Sequence, residues 1–303
     1  MRAAGPCCAM PEFEFETVDV FTTVRFGGNP LAVFPNARGL DGAAMQAIAR
    51  EFNLSETTFV LPPQDPAHTA HVRIFTPQHE LPFAGHPNVG TALVLVARAP
   101  ARPDAMVFEE GAGLVRMAFD WTGPHPRATL DAPVPLETGV TIPAGIVAAC
   151  TGLQSGDVLE ALHPPIVAGV GTAFVIAEVT PEALARAAPD TAAIRQASTN
   201  FAVRPLGFPV HLHALMPDGR RRTRMFAPLS GVPEDPATGS ANVALVALLL
   251  SLGSAETLAL EIEQGVEMGR PSLLYATARR APDGVRASVG GSAVAVLRGT
   301  ISL

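Results

Sequence analysis

The sequence predicts an α+β protein made of two similar halves, and three observations carry that expectation. A motif occurs twice: His86-Pro87-Asn88-Val89-Gly90-Thr91-Ala92, laid on Asp235–Ala241, matches at Pro, Gly and Ala and exchanges Thr for Ser, at an offset of 149. Upstream, Arg73-Ile74-Phe75-Thr76-Pro77 matches Arg224-Met225-Phe226-Ala227-Pro228 at an offset of 151. Downstream, both motifs run into an apolar helix (Leu93 to Val96, and Val243 to Leu250), while most of the remaining chain reads as short strands. In this alignment His86 occupies in one copy the place that Asp235 holds in the other.

The elements follow in order. Residues 1–12 read as a disordered tail, with Met10 an alternative first residue. From Phe13 to Phe21 apolar and polar residues alternate, the period of a half-buried strand. The breakers Gly27-Gly28-Asn29-Pro30 turn the chain, and Leu31–Phe34 returns as a second strand. Asp41 starts a helix whose apolar face is Met45, Ile48, Ala49 and Phe52, ending at Asn53. Ser55–Val60 is a strand with Glu56 at its mouth, where a carboxylate is either solvated or held in a pocket that raises its pKa. A strand at 71–76 precedes a helix with Pro87 in its first turn, where the missing N–H costs nothing. Two strands near 106–108 and 114–119 lead to the breaker cluster 121–126, which sets the expected boundary between an N-terminal domain, 1–126, and a C-terminal domain, 127–303.

In the second half a strand at 128–130 is expected, then helices at 143–151 and 155–162. Strands follow within 166–179, helices at 181–188 and 190–197, and strands at 208–215 and 224–227. Arg220-Arg221-Arg222 reads as a solvated turn after Pro217-Asp218-Gly219. Asp235 and Pro236 have the residue types of an N-cap and first helical position, and Gly253 suits the C′ stop of that helix. Four strands near 257–262, 272–277, 285–289 and 293–302 close the chain.

Composition excludes several function classes. The net charge of −7 argues against nucleic acid as a partner, since phosphate binding needs a basic footprint. All 21 basic residues are arginine. Without lysine there is no pyridoxal-phosphate Schiff base, no class I aldolase chemistry and no Walker phosphate loop. Cys7, Cys8 and Cys150 form neither a disulfide framework nor a zinc spacing, which fits a reducing cytoplasm. The chain shows no signal-peptide pattern, and the run Val243–Leu250 is too short to span a bilayer. His211 and His213 share one strand face, but no third metal ligand accompanies them.

A Gly- and Thr-bearing turn at a helix N-terminus aims unpaired N–H groups at one point and suits an anion, best a carboxylate or small phosphate. Two such turns facing each other would grip a small anionic molecule from both sides. The bland alternative is two ordinary helix starts with Gly for close packing. Singly, His86 fits a structural histidine, Asp235 an N-cap, Glu56 a surface carboxylate and Asn29 part of a tight turn. Together they suggest acid/base work on a bound carboxylate.

Several long segments resemble the phenazine-biosynthesis PhzF-like family: Asp19–Thr22, Gly28–Val33, Asn53–Thr57, Phe75–Pro77 with Glu80, Pro82–His86 and Glu234–Ala241. Gln264-Gly265 and Met268–Ser272 agree, and the match runs from about residue 13 to 303. The resemblance implies a diaminopimelate-epimerase-like fold: two pseudo-symmetric domains, each a curled, barrel-like mixed sheet around a central helix, with the site in the cleft between them. It implies that 293–303 returns to the first domain and that the chain is a homodimer. It also implies cofactor-free isomerisation of a small carboxylic acid, with Glu56 as general base and acid and His86 and Asp235 assisting. Gly85, Asn29, Thr238, Gly239 and Ser240 then bind substrate, with no metal. Related amino-acid epimerases use a cysteine at each helix N-terminus, and neither motif here has one. An epimerase or racemase, or a non-catalytic carboxylate binder, is the alternative.

Overall fold

The computed structural model describes residues 11–201, 203 and 206–303. The expectations about Cys7, Cys8 and residues 1–10 lie outside the described residues. The first half contains β1 (Glu12–Val20), β2 (Asn29–Phe34), α1 (Gly42–Phe52), β3 (Glu56–Leu61), β4 (Ala70–Phe75) and β5 (Glu80–Leu81). It continues with α2 (Gly85–Arg98), β6 (Ala105–Glu110), β7 (Gly113–Asp120) and β8 (Arg127–Asp131). The second half begins with β9 (Glu137–Thr141), α3 (Ala144–Cys150), β10 (Val158–Leu159), β11 (Ile166–Gly169), β12 (Ala173–Val179), α4 (Pro181–Arg186) and α5 (Thr191–Asn200). Then come β13 (Val210–Leu215), β14 (Arg221–Ala227), β15 (Val232–Asp235), α6 (Gly239–Leu252), β16 (Thr257–Gln264), β17 (Ser272–Ala281), β18 (Gly284–Gly291) and β19 (Ala293–Ser302).

Strand pairing repeats between the halves. In the first, β2–β3 is parallel, β3–β4 antiparallel, β4–β6 parallel, and β6–β7–β8 antiparallel. In the second, β12–β13, β13–β14, β14–β16 and β16–β17–β18 follow the same sequence of directions. β8 pairs with β18, joining the two sheets, and β19 pairs antiparallel with β1 along Glu12 to Val20.

Each sheet curls around one helix. α2 is in contact with β1, β2, β3, β7 and β8, and α6 with β11, β12, β16, β17 and β18. Surrounded in this way, α6 is apolar on every side: Val243 to Leu248 and Leu250 are all buried. Both helices feed one core that also takes Phe108, Met117, Phe174 and Ile176. α3, α4 and α5 pack outside it on Val175, Ala177, Val210 and Leu212, and α1 seals a smaller cluster with Phe34, Phe59 and Phe75.

Local signals explain most element ends. Asp41 caps α1 by accepting from the Ala44 N–H, and Asn53 ends it in the left-handed region, φ 50°. Thr180 and Asp190 cap α4 and α5. Several expectations are corrected. A single 3₁₀ turn at Ser155–Asp157 and strand β10 replace the helix expected at 155–162, because the Asp157 side chain closes a tight capping box on Gln154. Arg221 and Arg222 are not a solvated turn. They begin β14 and pair with Glu178 and Glu263. Gly253 is the C-cap of α6 with φ −105°, so its backbone needs no left-handed freedom.

The repeat itself has a different register from the one the short identities suggest. α2 begins at Gly85 and α6 at Gly239, an offset of 154. The Asn88 amide donates to Ala84 O and the Asn242 amide to Thr238 O, each at 3.0 Å. Arg73 grips Glu80 with two hydrogen bonds, and Arg224 grips Glu234 in the same way. Glu80–Val89 therefore lies on Glu234–Val243, with Glu, Pro, Gly, Asn and Val shared. His86 corresponds to Ser240, and Asp235 to Leu81. The matching of Pro-x-x-Gly identities ignored helix phase, and backbone pairing corrects it.

Candidate active site

Glu56 stands at the first residue of β3, beside Leu31 of β2, just after the left-handed turn that ends α1. Its side chain is 17% exposed, and Oε2 lies 3.5 Å from Nε2 of His86. Neither of those two atoms has a hydrogen-bond partner. Burial pushes the Glu56 carboxyl up to about 7, with a hydrogen bond from Ser55 working against it. Burial also drives the His86 imidazole down to about 4, opposed by the Asp235 carboxylate. A neutral imidazole thus faces a carboxyl that titrates near neutrality.

Asn29 brings the second half to this pair. Its amide donates to Asp235 Oδ1 at 2.9 Å and to Ala237 O at 3.1 Å, while its Oδ1 accepts from Ser55 Oγ at 3.2 Å. The turn before it is fixed. Gly28 has φ +63°, and a Cβ there would lie 2.3 Å from Val20 O, so the position requires glycine. Arg270 donates to Gly27 O and Gly28 O and pairs with Asp19.

Asp235 does not cap α6. It ends β15, opposite Met225, and accepts a short hydrogen bond from the Thr238 hydroxyl. Thr238 is the N-cap residue, but its side chain makes no cap hydrogen bond. The hydroxyl is already committed to Asp235 and to Nε2 of Gln264. Burial raises the Asp235 carboxyl to about 6, and the Glu56 charge adds to that. His86, Thr238 and Asn29 pull it down.

Both motif helices therefore begin without a side-chain cap, as the short α3 does behind Pro143, whereas α1, α4 and α5 are capped. The two uncapped ends abut: a Cβ on Gly85 would lie 3.9 Å from the Ser240 N. Their first-turn N–H groups form a donor-rich surface, suited to a carboxylate, next to Glu56 and His86. The structure thus brings Glu56, His86, Asp235, Asn29, Gly85, Thr238, Gly239 and Ser240 to one place.

Sequence reading gave Gln264 no role beyond the tail motif. Its Nε2 donates to Asp235 O at 2.8 Å, and its Oε1 accepts from Thr238 N at 3.1 Å and Asn242 Nδ2 at 2.7 Å. One fully buried amide thus sets the path of the whole 235–238 turn. Asn242, an amide amid the apolar run of α6 and fully buried there, was the available signal. His211 and His213 are both buried. Among the described residues no cluster of three or more His, Cys, Asp or Glu could hold an ion.

The family model for phenazine biosynthesis-like protein matches residues 18–299. The chain is 39% identical to trans-2,3-dihydro-3-hydroxyanthranilate isomerase of Pseudomonas fluorescens over 291 residues, covering 94% of this chain and 98% of that protein. A solved PhzF-family phenazine biosynthesis protein from Bacillus anthracis superposes with a TM-score of 0.87 at 21% identity, covering 97% and 100% of the two chains. A predicted epimerase of Pseudomonas aeruginosa gives a TM-score of 0.77 at 33% identity, covering 95% and 99%. The two-fold repeat of curled sheets is the diaminopimelate-epimerase-like fold. With a model match over nearly the whole chain and a relative of this identity and coverage, the protein belongs to the phenazine biosynthesis-like, PhzF family and is an isomerase.

Proposed function

We propose that the protein isomerises a small unsaturated carboxylic acid by proton transfer through Glu56, without a cofactor. The observation that carries this is the Glu56 carboxyl, raised to about 7, set 3.5 Å from a neutral His86 and beside two uncapped helix N-termini. The substrate carboxylate would sit on the N–H groups of Gly85, His86, Gly239 and Ser240. Glu56 removes a proton from a carbon acidified by the neighbouring unsaturation. The C–H electron pair moves into the conjugated system, and charge builds toward the carboxylate, where the helix ends stabilise it. Glu56 returns the proton to a second carbon, so composition is unchanged and a double bond moves. A base with a pKa near working pH suits both steps. His86 and Asp235 orient the substrate and hold Glu56 in place.

Trans-2,3-dihydro-3-hydroxyanthranilate, named for the relatives, belongs to this substrate class. The same reading divides the chain at 126/127 into two domains closing over Glu56; β8, just past that division, is shared, pairing with β7 of the first and β18 of the second, and β19 is attached to the first by its pairing with β1. Residues 127–303 without β19 form the other. A thiol-based racemisation has no support in the described residues: Cys150 is buried in the outer core, with its thiol pushed up to about 12. We also place the protein in the cytoplasm as a homodimer. Among the described residues no helix is long and apolar enough to cross a membrane.

The test is NMR of trans-2,3-dihydro-3-hydroxyanthranilate with the protein in deuterated buffer. A shifted double bond with wild type and none with Glu56→Gln is expected. Exchange at one carbon without a shifted double bond would favour an epimerase, and binding without exchange would favour a carboxylate-binding protein.

A further inference from the structure

The repeat register assigns a counterpart to the buried amide of Gln264. β4 pairs with β6 at Ala70↔Phe108 and His71↔Glu109, and β14 pairs with β16 at Arg221↔Ile262, Arg222↔Glu263 and Thr223↔Gln264. The β4 and β14 residues correspond at an offset of 151, as Arg73 and Arg224 do, so Glu110 falls on Gln264. Glycines confirm the match: a Cβ on Gly111 would press on Pro82 at 3.1 Å, and one on Gly265 would press on Pro236 at 2.6 Å. Those two prolines are themselves counterparts.

Gln264 uses two N–H donors, to Asp235 O and the Thr238 hydroxyl, and one carbonyl acceptor, shared by Thr238 N, Asn242 Nδ2 and, at 3.4 Å, the hydroxyl of Thr223, whose counterpart Val72 has none. In the first half the counterparts are Leu81 O, Ala84 N and Asn88 Nδ2. Ala84 has no hydroxyl, so one of the two acceptors has disappeared. A protonated carboxyl offers one O–H donor and one carbonyl acceptor, the complement that remains. An ionised carboxylate has no donor for Leu81 O. Both carboxyl oxygens of Glu110 and Oδ1 of Asn88 are buried without a hydrogen-bond partner.

We propose that Glu110 is a positioning residue for the turn carrying His86: a neutral carboxyl group that occupies the place of the Gln264 amide in the repeat and bonds residues 81–88 in solution as that amide bonds residues 235–242. Among the described residues neither carboxyl oxygen of Glu110 has an ion-pair or hydrogen-bond partner. Its neighbour Glu109 points to the opposite face of β6, where His68 and the N–H groups of Gln64 and Asp65 take its carboxylate. His71 stands opposite Glu109 in the β4–β6 register and lines the same surface pocket as His68, Glu109 and Glu110. On β5, Glu80 is taken by Arg73. On α2 the charged-type group nearest in sequence to Asn88 is His86, which is neutral above about 4. On β7 the hairpin partner of Glu110 is Gly113, and Arg116 pairs with Val107 further down the strand. Burial raises the Glu110 carboxyl to about 8, and the Asn88 side chain opposes that.

The inference rests on the isomerase reading only for the importance of His86, and its test needs no substrate. Thermal unfolding of wild type, Glu110→Gln and Glu110→Ala is followed from pH 5 to pH 9. Because the folded-state value lies above the unfolded one, ionisation favours the unfolded chain between them, and wild type loses stability as pH rises through that window. Glu110→Gln carries a permanent donor and acceptor. Its Tm should match wild type near pH 5 and exceed it increasingly toward pH 8, while Glu110→Ala should fall below both at pH 5. In wild type the His86 ring resonances should show, beyond the step set by Glu56 near pH 7, a further shift toward pH 9 that is absent in Glu110→Gln. A Tm difference between wild type and Glu110→Gln that does not change with pH overturns the proposal, as does a Gln variant as damaged as the Ala variant. Failure of the substrate experiment above would leave these results untouched.

Discussion

Asn29 and Asp235, 206 positions apart in sequence, are joined by a buried 2.9 Å hydrogen bond that ties the first half of the molecule to the second at the candidate site. The same Asn29 amide reaches Ala237 O, and its carbonyl takes the Ser55 hydroxyl next to Glu56. One side chain thus sets the distance between Glu56 and the second helix terminus. Asn29→Ala removes three hydrogen bonds and leaves the Asp235 carboxylate without one of its donors. We expect a loss of about 2–3 kcal/mol in stability by chemical denaturation. A drop of roughly tenfold or more in kcat/KM should accompany it, because misplacement at a reacting centre is costly. Asn29→Asp should be worse than Asn29→Ala, since it sets two carboxylates together.

Glu56→Gln keeps the volume of the side chain and removes the carboxyl proposed to carry the proton. Turnover should fall by about 10²–10⁴, the usual worth of a general base, with KM little changed. Normal turnover in this variant would remove Glu56 from the mechanism.

The same substitution has a stability signature. The Glu56 carboxyl rises from 4.5 to about 7 on folding, so the folded protein holds a proton that the unfolded chain has released. Stability from this group is highest below pH 4.5 and falls as pH rises to about 7, by about 3 kcal/mol in total. Glu56→Gln should therefore be more stable than wild type at pH 8 and equal to it near pH 4.5. His86 works in the opposite sense: its value is lowered to about 4, so stability is lost as pH falls from 6.5 toward 4. Tm profiles of Glu56→Gln and of a His86→Gln variant should diverge from wild type at opposite ends of the pH range.

Gln264→Leu is close to isosteric and deletes every hydrogen bond of the buried amide. Asp235 O, Thr238 N and Asn242 Nδ2 would lose that partner inside the core. A destabilisation of about 3–5 kcal/mol is expected from orphaned buried groups. Gln264→Glu should restore part of it at acid pH and little at alkaline pH, measured by denaturant midpoint.

The two repeated ion pairs should behave differently. Arg224 is 7% exposed, holds Glu234 with two bonds, and also donates to Leu184 O and Ala187 O at the end of α4. Arg224→Met strands a buried carboxylate and two carbonyls, and about 3–5 kcal/mol should be lost. Arg73 and Glu80 form the same geometry nearer the surface, and Arg73→Met should cost under about 1 kcal/mol. Equal effects from the two substitutions would refute the burial argument.

That the chain is a duplicated α+β unit is legible in its residues, because strand alternation, helix periodicity and the Gly-bearing motifs are local patterns. Met45, Ile48 and Ala49 marked the buried face of α1, and Asp41 and Asn53 its two ends. The family motifs pointed to Glu56, His86, Asp235 and the residues around them, which the fold collects at one point. Tertiary structure alone decided the register of the repeat. Short identities put His86 against Asp235, whereas ladder pairing and helix starts put His86 against Ser240 and Glu110 against Gln264. It also turned Asp235 from a helix cap into the acceptor of Asn29 and Thr238, and turned Arg221 and Arg222 from a solvated loop into strand residues with acidic partners. The reason is physical: a cap, a turn or a charge run is read from neighbours in sequence. Which donor meets which acceptor across some 200 residues depends on how two sheets close around two helices, as at Asn29 and Asp235.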